Sequence, residues 1–166
     1  MYELTGAIII GLVCGMMGGF FIRIQIWLLK LRKLSIKRNW QKVMEVALFA
    51  AITAMTFFLV SLSLNKCLPK SDPTFPFYHA ARCSDREYSP MATLFFNTEG
   101  GTIRSLLSKA VTLNVYETTS FLLSWYLLFI TTYGVQVPSG VFLPGIIIGL
   151  AVGQLYGNIW VQIFPT

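Results

Sequence analysis

The residues best placed to do chemistry lie close together near the carboxyl end: Pro138, Ser139, Gly140, Val141, Phe142, Leu143, Pro144 and Gly145. Two prolines and two glycines in eight residues break the chain between two apolar runs. Pro138 biases Val137 toward an extended conformation. Pro144 suits the first turn of a new helix, where the amide it lacks would have no intrahelical partner. A helix is therefore expected to start near Val141 or Phe142, its first N–H groups pointing back at the break. Free amides and the positive end of a helix dipole attract an anion without any cation. Partial charges also let a small anion leave again, where a lysine in low dielectric would hold it. The same spacing also fits a plain helix–loop–helix turn.

Positioning such a break requires protein or a water-filled cavity around it, because lipid cannot satisfy exposed peptide groups. The composition supplies that setting. Of 166 residues, 55% are hydrophobic and 12% charged, and the mean hydropathy is +0.64. Soluble domains carry about a quarter charged residues, so the fold class is all-α integral membrane. About four embedded helices are expected, near 5–33, 43–64, 115–133 and 142–163, with a short interfacial or re-entrant helix near 100–108. The net charge of +6 is not a nucleic-acid footprint, since seven of the thirteen cations fall between Arg23 and Lys42, directly after the first apolar run. That is the flank of a membrane helix facing the cytoplasm. Arg23 and Gln25, late in this run, are expected to reach the interface. With Glu3 where a basic region would be, no signal peptide is read.

The basic stretch 30–42 is placed in the cytoplasm, so the loop 65–90 falls on the lumenal or extracellular side. It holds Cys67 and Cys83, while Cys14 is expected to be buried in the first helix. Two cysteines flanking a non-cytoplasmic loop read as a disulfide; two unrelated thiols is the other reading. His79 lies in the same loop without metal-ligand spacing and is read as solvated. No metal cluster, nucleophile–base pair or phosphate-binding loop is evident, so neither an enzyme nor a cofactor is expected. Gly11, Gly15 and Gly19, and again Gly145, Gly149, Gly153 and Gly157, recur every four residues. They form side-chain-free stripes that imply close packing against partner helices.

The stretch SGVFLPGIIIGLAVGQLYG resembles the G-x-F-x-P signature and glycine-rich helix of the CLC chloride channel and chloride/proton exchanger family. YGVQVPSGVFLP and CSDREYSPMATLFFNT resemble its endosomal and lysosomal branch, and LTGAIIIGLVCGMMGGFFIRI its long helix leading to the cytoplasm. The resemblance covers roughly Glu3 to Trp160. It implies that the amides of Val141 and Phe142 face a permeating chloride, that Gly140 permits close approach, and that Pro144 fills the motif's proline, flanked by Ser139 and Leu143. Gln154 stands near a position where many relatives carry arginine. The family's Gly-Ser-Gly-Ile-Pro loop, its Gly-x-Glu-Gly-Pro loop, its late tyrosine and its paired nucleotide-binding modules are not in these residues. The seven carboxylates are read as lying at span ends or in loops. The resemblance thus implies a central piece of a membrane domain that does not conduct by itself, with chloride, the lipid bilayer and the rest of that domain as partners, and a homodimer when intact. The alternative is a complete small membrane protein that scaffolds a larger channel through its glycine stripes. Peptide mapping without reductant is expected to recover Cys67 linked to Cys83; free thiols there would reject the non-cytoplasmic placement of the loop.

Overall fold

The computed structural model describes residues 2–64, 66–71, 74–84, 86–108, 111–135, 137 and 140–163. Asn65, Asp72, Pro73, Asp85, Pro138, Ser139 and Pro165, on which parts of the sequence reading fall, lie outside these residues. Six helices follow in order: α1 (Tyr2–Ser35), α2 (Asn39–Ser63), α3 (Pro90–Phe95), α4 (Glu99–Leu107), α5 (Val115–Thr132) and α6 (Phe142–Ile163). A short antiparallel pair, β1 (Leu68–Pro69) with β2 (Glu87–Tyr88), ties the ends of the loop between α2 and α3.

Among the described residues, three helices are long and apolar enough to cross a membrane: α1 from Leu4, α2 and α6. At 1.5 Å per residue α1 is roughly 50 Å long against a hydrocarbon core of about 30 Å, so its last turn, with Arg32 and Lys33, extends beyond the apolar layer. The turn that follows is held by Gln41, whose Oε1 accepts from the amides of Lys37 and Arg38, both at 3.0 Å. This cap lets α2 begin at Asn39, earlier than the apolar run from Val43 suggests. Helix α5 is shorter, at 18 residues, and carries Glu117 and several Thr and Ser positions; it is not among those three spans.

The core lies among α3, α4, α5 and α6, where Met91, Leu94, Phe95, Leu106, Phe121, Ile147 and Ala151 are buried together. Phe57 of α2 and Trp125 of α5 stack beside Phe95 and Phe121. The short helix expected near 100–108 is α4, and a second short helix, α3, precedes it. Pro90 occupies the first turn of α3, all six of whose residues are buried. Thr98 then caps α4, its Oγ1 accepting from the Gly101 amide at 3.2 Å. A sequence mixing Thr, Asn and Gly among apolar residues shows no helical stripe when every side is covered.

Non-helical backbone beside these helices is satisfied by side chains. Asn97 Nδ2 donates to the carbonyls of Phe77 and Thr93. Gln154 Nε2 donates to Leu106 O at 2.8 Å and Asn158 Nδ2 to Leu113 O at 3.0 Å, covering the break between α4 and α5 from one face of α6. His79 is not the solvated residue expected: it is half-buried, its ring Nε2 lies 3.2 Å from Asn97 Oδ1, and its amide donates to Thr93 Oγ1. Cys67 and Cys83 are joined by a disulfide that closes the loop. Cys14 is half-buried rather than buried.

The glycine stripes contradict their expected role within this chain. A Cβ added at Gly11, Gly15, Gly19, Gly145, Gly149, Gly153 or Gly157 would meet nothing within 4 Å. The close approach of α1 to α6 occurs instead at Gly6, where a Cβ would lie 2.9 Å from the Tyr156 ring.

Phe121 is fully buried among three aromatic or apolar neighbours, whereas Leu123, two residues on, faces outward. Phe121→Ala is expected to cost about 3–5 kcal/mol and to lower the thermal midpoint in detergent, with Leu123→Ala close to neutral. Equal effects of the two would place the core elsewhere.

Candidate functional site

Helix α6 starts at Phe142, directly after Gly140 and Val141. The first amide with a recorded acceptor is that of Gly145, which donates to Val141 O at 3.1 Å. Pro144 has no N–H. Among the described residues, the amides of Val141, Phe142 and Leu143 have no hydrogen-bond acceptor. The helix start is flanked by two cavities. One, of about 680 Å³, runs between α2, α5 and the turn after α5, with Gly140 and Pro144 in its wall. The other, of about 210 Å³, lies between α1, α5 and α6, with Cys14, Gly18, Val141 and Gly145 in its wall.

The turn itself is not enclosed. Gly140, Val141 and Leu143 are exposed, and Phe142 is 77% exposed. Shielding of the break was expected, yet α1, α2 and α5 cover only one side of it. Ser139 lies outside the described residues, so the structure brings together Gly140, Val141, Phe142, Leu143 and Pro144. Cys67 and Cys83 belong to the distant loop.

How the chain reaches this turn is set by side chains that were read differently from sequence. Gln25, expected near the interface, is 5% exposed and donates to Ile130 O at 2.6 Å. Two turns further along α1, Arg32 donates from Nη1 to Tyr133 O at 2.8 Å and from Nη2 to Thr131 O. Its Nε faces Glu45 Oε1 of α2 at 2.8 Å, and its guanidinium sits over the Phe49 ring, 5.3 Å from the centroid. The last carbonyls of a helix lack intrahelical donors and carry the negative end of its dipole; a planar guanidinium with five donors suits them. Gln25 and Arg32 thereby pin the end of α5 to α1. Gly134 follows at φ +82°, and a Cβ there would lie 3.0 Å from Leu29 and 3.3 Å from Arg32 Nη1. Only glycine combines that left-handed backbone with that approach. The spacing Gln25–Arg32, one helix face over two turns, was the available signal.

Two carboxylates stand in the first turn of a helix, Glu99 of α4 and Glu117 of α5. Glu117 is 1% exposed; its Oε2 accepts from the Asn114 amide at 3.0 Å and its Oε1 lies 3.5 Å from Lys66 Nζ. Glu99, at the start of α4, is exposed and lines the larger cavity together with Thr53 and Phe57 of α2. Among the described residues no group of His, Cys, Asp and Glu could hold a metal ion.

These features define a class: an all-α membrane protein with an interrupted helix whose start presents unpaired amides to a cavity. The family model for voltage gated chloride channels matches residues 1–166, and the chain belongs to that family. Among its relatives, the "H(+)/Cl(-) exchange transporter 7" of Homo sapiens is 34% identical over 158 residues, covering 95% of this chain and 20% of that protein. The "Chloride channel protein CLC-d" of Arabidopsis thaliana is 33% identical over 181 residues, 98% of this chain and 23% of that protein. The "Chloride channel protein C" of Dictyostelium discoideum is 25% identical over 172 residues, 94% of this chain and 22% of that protein. The chain thus spans about a fifth of the length of these curated relatives.

Removing one partner of a buried ion pair costs about 3–5 kcal/mol, more than removing both. Arg32→Met is therefore expected to lower the thermal midpoint in detergent further than the double change Arg32→Met with Glu45→Met. A double variant less stable than the single would show that Glu45, left without Arg32, is not an uncompensated charge.

Proposed function

We propose that this chain forms one wall of the anion pathway of a chloride transporter, with the start of α6 as its binding element. The observation that carries the reading is the set of amides at Val141, Phe142 and Leu143, unpaired among the described residues, beside a cavity bordered by Gly140 and Pro144. Chloride fits that chemistry. It is a monovalent anion that oriented N–H dipoles stabilise without trapping. Gly140 lets it approach the backbone, Val141 and Phe142 supply N–H donors, and the Phe142 ring borders the path.

Support also comes from the relatives, which are named as chloride channels or proton/chloride exchangers. On this reading the exposed side of the turn is covered by the rest of a larger membrane domain, in which the open stripes of α1 and α6 seat further helices. The basic stretch 30–42 faces the cytoplasm, the bridged loop faces a lumen or the exterior, and the assembled protein is a homodimer in an internal membrane of the endosomal or lysosomal kind.

The test is a chimera in which residues 1–166 replace the matched segment of the human exchanger. Gly140→Val in that chimera is expected to abolish chloride flux while surface or vesicle abundance stays unchanged. Flux equal to that of the unsubstituted chimera would reject the site.

A further inference from the structure

The pathway reading leaves the basic stretch 30–42 with a topological role only, yet three of its cations converge. A cavity of about 440 Å³ lies in the corner between the last turns of α1, the first turns of α2 and the turn that follows α5. Its walls carry Arg32, Lys33, Lys42 and Glu45, with Leu29 and Gly134 beside them. That volume is within the range of small-ligand pockets. Arg32 and Lys33 stand in the last turn of α1, and Lys42 and Glu45 in the first two turns of α2. The cavity therefore sits where the apolar layer ends.

Its charge is unbalanced. The acid in its wall, Glu45, is already matched by Arg32 Nε at 2.8 Å. Arg32 gives one further N–H each to Tyr133 O and Thr131 O. A guanidinium has five N–H donors, so two remain. Among the described residues, the ammonium groups of Lys33 and Lys42 form no ion pair. The ligand that completes this set is an anion with several acceptor oxygens, and a guanidinium fork with ammonium groups beside it suits a phosphate.

The surroundings select a phosphate carried by lipid over one free in water. Both helices that frame the cavity are long and apolar enough to span a membrane. Leu34, Trp40 and Val43, next to its lysines in the chain, are exposed. A tryptophan so placed belongs at headgroup level, and exposed leucine and valine suit acyl chains. Basic pockets between membrane helices on the cytoplasmic side take anionic headgroups.

We propose that the cavity at the α1–α2 corner binds the phosphate of an anionic phospholipid. Lys33, Lys42 and the two spare N–H groups of Arg32 hold the phosphate, and the acyl chains lie along α1 and α2. Glu45 stays on Arg32 Nε, so the headgroup enters beside the ion pair and does not replace it. The site is separate from the start of α6 and stands whether or not that start binds chloride.

Native mass spectrometry of the chain in neutral detergent, titrated with dioleoyl phosphatidate or dioleoyl phosphatidylcholine, counts bound lipid and gives each dissociation constant. A basic group against an anionic headgroup contributes about fivefold in affinity. The native chain is expected to bind one phosphatidate about tenfold or more tightly than phosphatidylcholine. Lys33→Gln with Lys42→Gln is expected to weaken phosphatidate binding about tenfold or more. Lys30→Gln with Lys37→Gln removes the same charge from exposed positions outside the cavity. At physiological salt, where diffuse attraction is screened, that pair is expected to change binding by less than about threefold. Equal losses in the two double variants would make the attraction diffuse and overturn the site. So would equal affinities for the two lipids. Glycerol 3-phosphate, which lacks acyl chains, is expected to leave phosphatidate bound at equal concentration; displacement would make the occupant a soluble phosphate and overturn the lipid assignment. Should the variants lose helical content, acetylation of the native chain by N-hydroxysuccinimide acetate decides. Phosphatidate is expected to slow acetylation of Lys33 and Lys42 while Lys30 and Lys37 stay reactive. Equal acetylation of Lys33 and Lys42 with and without the lipid would overturn the proposal.

Discussion

Peptide groups that leave regular helix inside an apolar layer must find partners in the protein, and most of the internal architecture of this chain follows from that constraint. The chain departs from helix between α3 and α4, between α4 and α5, and at the end of α5. At the last two departures a long amide or guanidinium side chain reaches across from another element, whereas Asn97, within the α3–α4 break itself, donates to the carbonyls of Phe77 and Thr93. Asn97 serves the loop over α4, Gln154 and Asn158 serve the α4–α5 break, and Gln25 and Arg32 serve the end of α5. Apolar packing around Phe95, Phe121 and Trp125 then fills the volume between them. After α5 the chain reaches a further set of donors, at Val141 to Leu143, with no acceptor among the described residues.

Much of this order was visible in the residues themselves. The proline and glycine pattern places a helix start near Phe142, where α6 begins, because proline removes donors and restricts φ whatever surrounds it. The two long apolar runs at the amino end were equally plain, since hydropathy over some twenty residues depends on little else. The cysteines at 67 and 83 could be read as a pair once the intervening loop was placed outside the cytoplasm.

The rest depended on what lies opposite each residue, which one chain's pattern does not encode. Gln25 read as interfacial and Arg32 as one of a cytoplasmic basic stretch; the partner carbonyls at Ile130, Thr131 and Tyr133 lie about a hundred positions away. Helix α3 was invisible because burial on every side erases the amphipathic stripe. The place of Glu99 could not be read from its loop-like segment, since it is set by where α4 docks against α3 and α6. The glycine ladders misled in the other direction. Four-residue spacing identifies a stripe that permits close approach, but Gly6, outside the ladders, is where α1 meets Tyr156.

The two amides on α6 have a mechanical corollary. Gln154 and Asn158 are four residues apart and therefore share one face, and each grips a carbonyl on the same stretch of chain. Turning α6 by a single residue would swing that face through about 100° and release both grips together, so they act as a key in a keyway. The orientation of the opposite tip of the rod, roughly 18 Å away along the axis, is thereby indexed to the α4–α5 corner. Whatever meets the amides at Phe142 meets them at an angle set from the far end of the helix.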